Sequence, residues 1–114
     1  MERKHLINCN IAGFSYYEGP LVFKELEIGT ELILKPEADN KYDPKAVAIH
    51  YKDRKLGYIP ACNNHFISIM FEMGYDIFEA YIQKIDPTQN PENQIYIAVY
   101  VRGKANSLRR SKKK

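Results

Sequence analysis

Asn40-Lys41-Tyr42-Asp43-Pro44-Lys45-Ala46-Val47-Ala48-Ile49-His50-Tyr51, with Lys55-Leu56-Gly57-Tyr58-Ile59-Pro60 close behind, is the stretch whose reading decides the fold. It ends the polar segment 36–44, which is rich in turn formers and reads as a loop. Residues 46–51 are then an apolar run with β-branched Val47 and Ile49, and residues 55–59 are a second one. Lys52-Asp53-Arg54 between them makes the pair a β-hairpin, and Pro60 ends it.

Working outward toward the N-terminus, Glu31–Lys35 is a strand that stops at Pro36. Residues 21–26 have room for one or two helical turns before Gly29. Phe14-Ser15-Tyr16-Tyr17-Glu18-Gly19-Pro20 is an aromatic loop closed by a Gly-Pro breaker. Ahead of it, Ile7, Cys9 and Ile11 alternate with Asn8 and Asn10, a half-buried strand running to about Gly13.

Toward the C-terminus, residues 62–73 carry Phe66, Ile67, Met70 and Met73 at helical spacing, with Asn63 as N-cap and Gly74 as stop. Phe78, Ala80 and Ile82 alternate with Glu79, Tyr81 and Gln83, and after the loop 86–93 the chain returns to β over 95–101. Many short strands with one inserted helix predict a mainly β domain. The expected form is a small, partly open OB-like or SH3-like β-barrel of about six strands with one or two helices.

The chain has 114 residues and a formal net charge of +3. This is the usual size of one domain, long enough to bury a core without a disulfide or metal staple. The charge is unevenly placed. Seven of the 17 Lys+Arg lie between Arg102 and Lys114 with no acid among them, so residues 1–101 hold ten cations against all 14 acids. We therefore expect an acidic folded domain over 1–101 and a basic, disordered tail over 102–114. No stretch approaches the ~18 consecutive apolar residues of a membrane span. The N-terminal residues form no signal-peptide core, because Asn8 and Asn10 interrupt them. A cytoplasmic location follows as the expectation, with Cys9 and Cys62 as unpaired core or near-core thiols.

Catalytic patterns are scarce. The six glycines never cluster into a phosphate-cradling loop, and there is no Gly-x-Ser-x-Gly elbow. Cys62 and His65 have the spacing of half a zinc site, but no second pair follows. The segment 39–43 lacks the central Gly and terminal Glu of a calcium loop. No enzyme, metal or cofactor is expected. The tyrosines are more informative: Tyr16, Tyr17, Tyr42 and Tyr58 fall in loops and hairpin ends that converge at one mouth of such a barrel. There they either pack the rim or offer ring faces on which exposed bases stack.

Four segments in this order resemble the HIRAN domain. They are Ile11–Tyr17, Gly29–Glu37, Asn40–Ile49 and Leu56–Pro60, and the resemblance covers about residues 6–101. The Asn-x-Tyr-Asp-x-x-Ala-Val segment followed by Gly-Tyr-Ile-Pro is its most specific part. The resemblance implies a modified OB-like barrel with helices and a role in DNA handling. HIRAN domains occur fused to fork-remodelling ATPases and as small stand-alone bacterial proteins. In the fork remodellers the domain captures a single-stranded DNA end bearing a free 3′-hydroxyl.

Carried over by position, the resemblance makes Tyr16 and Tyr17 the tyrosine pair beside the strand end, and Tyr42 and Asp43 the pair closing on the terminal nucleotide. Tyr58 falls where a further pocket side chain is supplied, and Lys41 and Lys45 flank the site within reach of backbone phosphates. Ser15 and Ala61 stand where DNA-binding members carry basic residues. The function implied is capture of single-stranded DNA, preferentially at a free 3′ end, in replication or repair, in trans to a helicase or nuclease partner. The alternative is a protein-interaction or scaffold module that keeps the fold without binding DNA ends.

Overall fold

The computed structural model describes residues 2–103. Six strands form one antiparallel sheet: β1 (Arg3–Asn10), β2 (Glu31–Pro36), β3 (Val47–Tyr51), β4 (Arg54–Tyr58), β5 (Phe78–Ile85) and β6 (Ile95–Arg102). Three short helices are inserted, α1 (Gly19–Val22), α2 (His65–Glu72) and α3 (Pro91–Gln94). The hairpin 46–59 and the flanking strands thus appear where the sequence places them.

The strand order is β1-β6-β5-β2-β3-β4. The mainly β architecture is as expected, and the sheet curls without closing, so it is a barrel only loosely. Its edge strands β1 and β4 meet only through Ala12 and Tyr58, which exchange backbone hydrogen bonds of 2.8 and 2.9 Å just beyond β1. The ladder cannot lengthen there, because Gly13 turns the chain with φ 74° into a 3-10 turn at Phe14–Tyr16. Even this one bridge depends on Gly57. A Cβ at that position would sit 2.4 Å from the Ala12 carbonyl oxygen, and its φ of 151° also disfavours a side chain.

The core lies on the concave side of the sheet. Val47, Ile49 and Leu56 from the hairpin meet Ile97 and Val99 from β6, all fully buried, and Ile67 of α2 closes one end. The alternation read in β5 holds, with Phe78, Ala80 and Ile82 inward. At an order of ~25 cal/mol per Å2 of apolar surface removed from water, this set is the main source of stability.

Three local expectations change. The helix expected over 62–73 is a 3-10 turn at Ala61–Asn63 followed by α2, and Asn64 rather than Asn63 precedes its first turn. Asn64 makes no side-chain cap because its amide is directed to Asp43. Of the helical apolar set, Ile67 is buried and Met70 packs on the core, while Phe66 and Met73 remain exposed. Cys62 lies on the surface rather than near the core. Cys9 is buried, and burial pushes its thiol pKa up to about 12. The sheet extends through Arg102, whose guanidinium donates to the Phe78 and Asp76 carbonyls. The tail expected over 102–114 otherwise lies, from residue 104 on, outside the described residues.

Candidate nucleic-acid interface

Where β4 ends and the chain bridges back to Ala12, the loop before β3 folds over the sheet edge and leaves a cleft of about 270 Å3. Tyr17, Tyr42 and Tyr58 wall it, over an apolar floor of Ala12, Ala46 and Ile59. Asn40, Asp43 and Asn64 supply its polar lining.

The loop is shaped by Asn40. Its side-chain oxygen accepts from the backbone N–H groups of Tyr42 at 2.8 Å and Asp43 at 3.0 Å, an Asx-type turn. The loop is thereby closed from within, while the Tyr42 ring, 97% exposed, projects freely into solvent. Asp43 is gripped at both oxygens: Oδ1 accepts from the Lys45 N–H at 2.9 Å and Oδ2 from Asn64 Nδ2 at 2.9 Å. Asn64 itself is 3% exposed, the one buried polar residue among those described, so its amide is a rigid support. An ionised carboxylate has about four acceptor positions. Two are occupied, and Asp43 keeps acceptor capacity on the side lining the cleft.

The opposite wall is held by an ion pair. Lys55 Nζ lies 2.7 Å from Glu37 Oε2 and donates to the Tyr58 hydroxyl at 2.9 Å. The Tyr58 hydroxyl donates in turn to Glu37 Oε1 at 2.8 Å. The same ammonium sits 5.2 Å from the Tyr17 ring centre and 4.8 Å from that of Tyr58, and the two rings meet edge to face at 5.5 Å. Partial burial pushes the Glu37 carboxyl up, but hydrogen bonds from Lys55, Tyr58 and Asn40 outweigh it and leave its pKa below the ordinary range. Burial likewise opposes the charge on Lys55, yet the bonds to Glu37 and Tyr58 hold its pKa above that of an ordinary lysine. The Tyr58 hydroxyl is raised, first by burial and then by the neighbouring carboxylate.

Of the residues singled out in the sequence, Tyr17, Tyr42, Asp43 and Tyr58 share this cleft. Ala61 lines it as well, whereas Tyr16, Lys41 and Lys45 do not. Tyr16, 82% exposed on the 3-10 turn, points to solvent. Lys41 is exposed on the loop, and Lys45 faces a separate groove beside α2, with Pro44, Ser68 and Phe71. Asn40, Asn64, Glu37 and Lys55 were missed. Lys55 and Tyr58 are three apart, a spacing that puts side chains on opposite faces of a regular strand. They meet because the β3–β4 register shifts, with His50 opposite Lys55 and Ile49 opposite Gly57. The Asn-x-x-Asp spacing of 40 and 43 was the one available signal for the Asx turn.

The HIRAN domain model matches residues 4–104, almost the whole described chain. The chain belongs to the HIRAN domain family. HIRAN domains are DNA-binding modules, not known as catalytic domains. A protein from Lactobacillus plantarum, known as a structural-genomics crystal structure, is similar in fold at a TM-score of 0.74 and 19% identity, over 88% of this chain and 95% of that one. The HIRAN domain of human HLTF is similar at a TM-score of 0.62 and 10% identity, over 93% and 85% of the two chains. No curated protein matches the sequence significantly. Among the described residues no group of His, Cys, Asp and Glu is arranged to hold a metal, and no helix is long and apolar enough to cross a membrane.

Proposed function

We propose that this HIRAN domain captures the end of a single DNA strand in the cleft between Tyr17, Tyr42 and Tyr58, preferring a free 3′-hydroxyl. The observation that carries the reading is Asp43, fixed by Asn64 and the Lys45 amide at the polar side of an aromatic cleft. A carboxylate held there accepts a hydrogen bond from a terminal sugar hydroxyl, while its charge repels a terminal phosphate. The exposed Tyr42 ring and the braced Tyr17–Tyr58 pair supply faces for unpaired bases, worth roughly 1–3 kcal/mol per stacked base. Lys41 and Lys45 contribute at longer range to the strand's backbone, and Tyr16 lies on the approach. The biological setting proposed is replication or repair, in trans to a helicase or nuclease.

Fluorescence anisotropy with a short single strand tests the assignment. Tyr42→Ala and Asp43→Ala should each weaken binding to a 3′-hydroxyl end by at least tenfold, with circular dichroism unchanged. Wild-type affinity in both variants would remove the cleft from the function. One observation favours the alternative of a protein-interaction module: α2 leaves Phe66, Ile69 and Met73 exposed along one face. On that reading both variants bind DNA as poorly as wild type, and charged substitutions on α2 abolish partner recovery.

A further inference from the structure

The outward face of β1, β6 and β5 carries a second aromatic cluster. Register aligns His5 with Tyr100 and Tyr100 with Glu79, and Tyr81 lies beside them on the same face of β5. The Arg3 guanidinium sits 4.2 Å from the Tyr100 ring centre and 5.3 Å from that of Tyr81. Glu79 holds the arrangement in place, accepting from Arg3 Nη1 at 3.1 Å and from the Tyr81 hydroxyl at 2.9 Å. Next to this cluster is a cleft of about 350 Å3, lined by Arg3, Tyr81 and Tyr100 with Ile28, Gln83 and Ala98. Further along the same face Lys84 lies 5.3 Å from the Tyr96 ring centre.

The face carries both signs of charge: Glu31 lies opposite Tyr81 in the ladder and Glu79 opposite Tyr100. Arg3, Lys4 and Arg102 gather at one corner of the sheet with Glu2, and six further cations follow between Lys104 and Lys114 in the sequence. Glu79 is already matched by Arg3. A guanidinium has five donors, and one of those of Arg3 is taken by Glu79. The remaining donors, beside two tyrosines, suit a phosphate oxygen together with an adjacent unpaired base, which stacks on aromatic rings and on guanidinium planes alike.

We propose that this face is a second single-stranded DNA surface, one that takes an internal nucleotide and requires no strand end. The proposal is separate from end capture, since none of Arg3, Tyr81 and Tyr100 lines the Asp43 cleft. It gives the acidic domain an aromatic track with Arg3 at its edge, along which the body of a strand lies.

A circular single strand has no end and therefore isolates this surface. In the full chain, Arg3→Gln and Tyr100→Leu should each weaken binding to a circular single-stranded oligonucleotide on the order of tenfold, the size of one lost stacking contact. Arg3→Gln should also lower the salt slope by about 0.7, the signature of one phosphate contact, whereas Tyr100→Leu should leave it unchanged. Arg3 is on the surface, so its variant reports even if Tyr100→Leu disturbs the sheet. Preference for a 3′-hydroxyl over a 3′-phosphate on linear strands should survive both changes. Circular strands that fail to bind, or that bind both variants as tightly as wild type, overturn the proposal. An Arg3-dependent affinity for circles in a protein without end preference sustains it while removing the end-capture reading.

Discussion

The two halves of the sheet are built on different plans. β1, β5 and β6 are eight residues each and pair along nearly their whole length. β2, β3 and β4 have only five or six residues, with a register shift in the hairpin and the long loop 37–46 folded over its end. The first half keeps long ladders, with one register shift in each pairing, at His5/Ile7 and at Ile82/Lys84. The second has short ladders, a shift between Ile49 and His50, and polar side chains around it that build the cleft: Asn40 closes the loop, Asn64 holds Asp43, and Glu37 binds Lys55. Asp43 and the Glu37–Lys55 pair stand at the short-stranded half, whereas Arg3, Lys4 and Arg102 stand with Glu2 and Glu79 at the long-stranded one. On the proposed reading, selectivity for an end and affinity for a polyanion would thereby be kept apart in space.

The comparison breaks most severely in the shared core. Ile97→Ala, at a fully buried position of β6, should cost about 2–5 kcal/mol in chemical denaturation. Because the core is common to both halves, it should lower DNA binding only as far as it unfolds the protein. Gly57→Ala probes the bridge beside the cleft. It puts a methyl group against the Ala12 carbonyl at a positive φ, so a loss of about 1–3 kcal/mol is expected together with a weakened 3′-end preference. A variant with unchanged stability and unchanged end preference would show that the Ala12–Tyr58 bridge does not shape the cleft.

A smaller effect separates the halves by pH. The Glu37 pKa is lowered in the folded protein, so its contribution to stability is present above the ordinary carboxylate value of 4.5 and is lost as pH falls through the folded value. That of Lys55 is raised, so its contribution is complete below 10.5 and fades as pH rises above it. Thermal melts should therefore show a plateau between those limits, and Glu37→Gln should flatten the acid limb. The pair is partly solvent-exposed, so the change is modest. An acid limb equally steep in Glu37→Gln would assign it to other carboxylates.

How much was legible follows the same division. Strands, hairpin and core came from alternation and turn residues, which are local properties of the sequence: Ile97 and Ile49 are inward because their period-2 neighbours demand it. Tyr42 and Asp43 were legible as a recognisable segment, and Tyr17 and Tyr58 by resemblance. What could not be read was which side chains meet across the break in the ladder. Lys55 reaches Tyr58 only through a register shift, Asn64 reaches Asp43 across 21 residues, and how far the sheet curls is set by Gly13, which turns the chain after a single bridge. Tyr81 and Tyr100 were ordinary strand residues and Arg3 lay ahead of the strand read from Ile7 to about Gly13, until β1 proved to begin at Arg3 and register laid the three side by side.

The central claim, that Asp43 selects a free end, is tested most directly by one titration. Two oligonucleotides of identical sequence, one ending in a 3′-hydroxyl and the other in a 3′-phosphate, are titrated with wild-type protein at physiological salt. The account predicts at least tenfold tighter binding to the hydroxyl end, with the ratio collapsing toward one in Asp43→Ala. Equal affinity for the two ends in the wild type would contradict it.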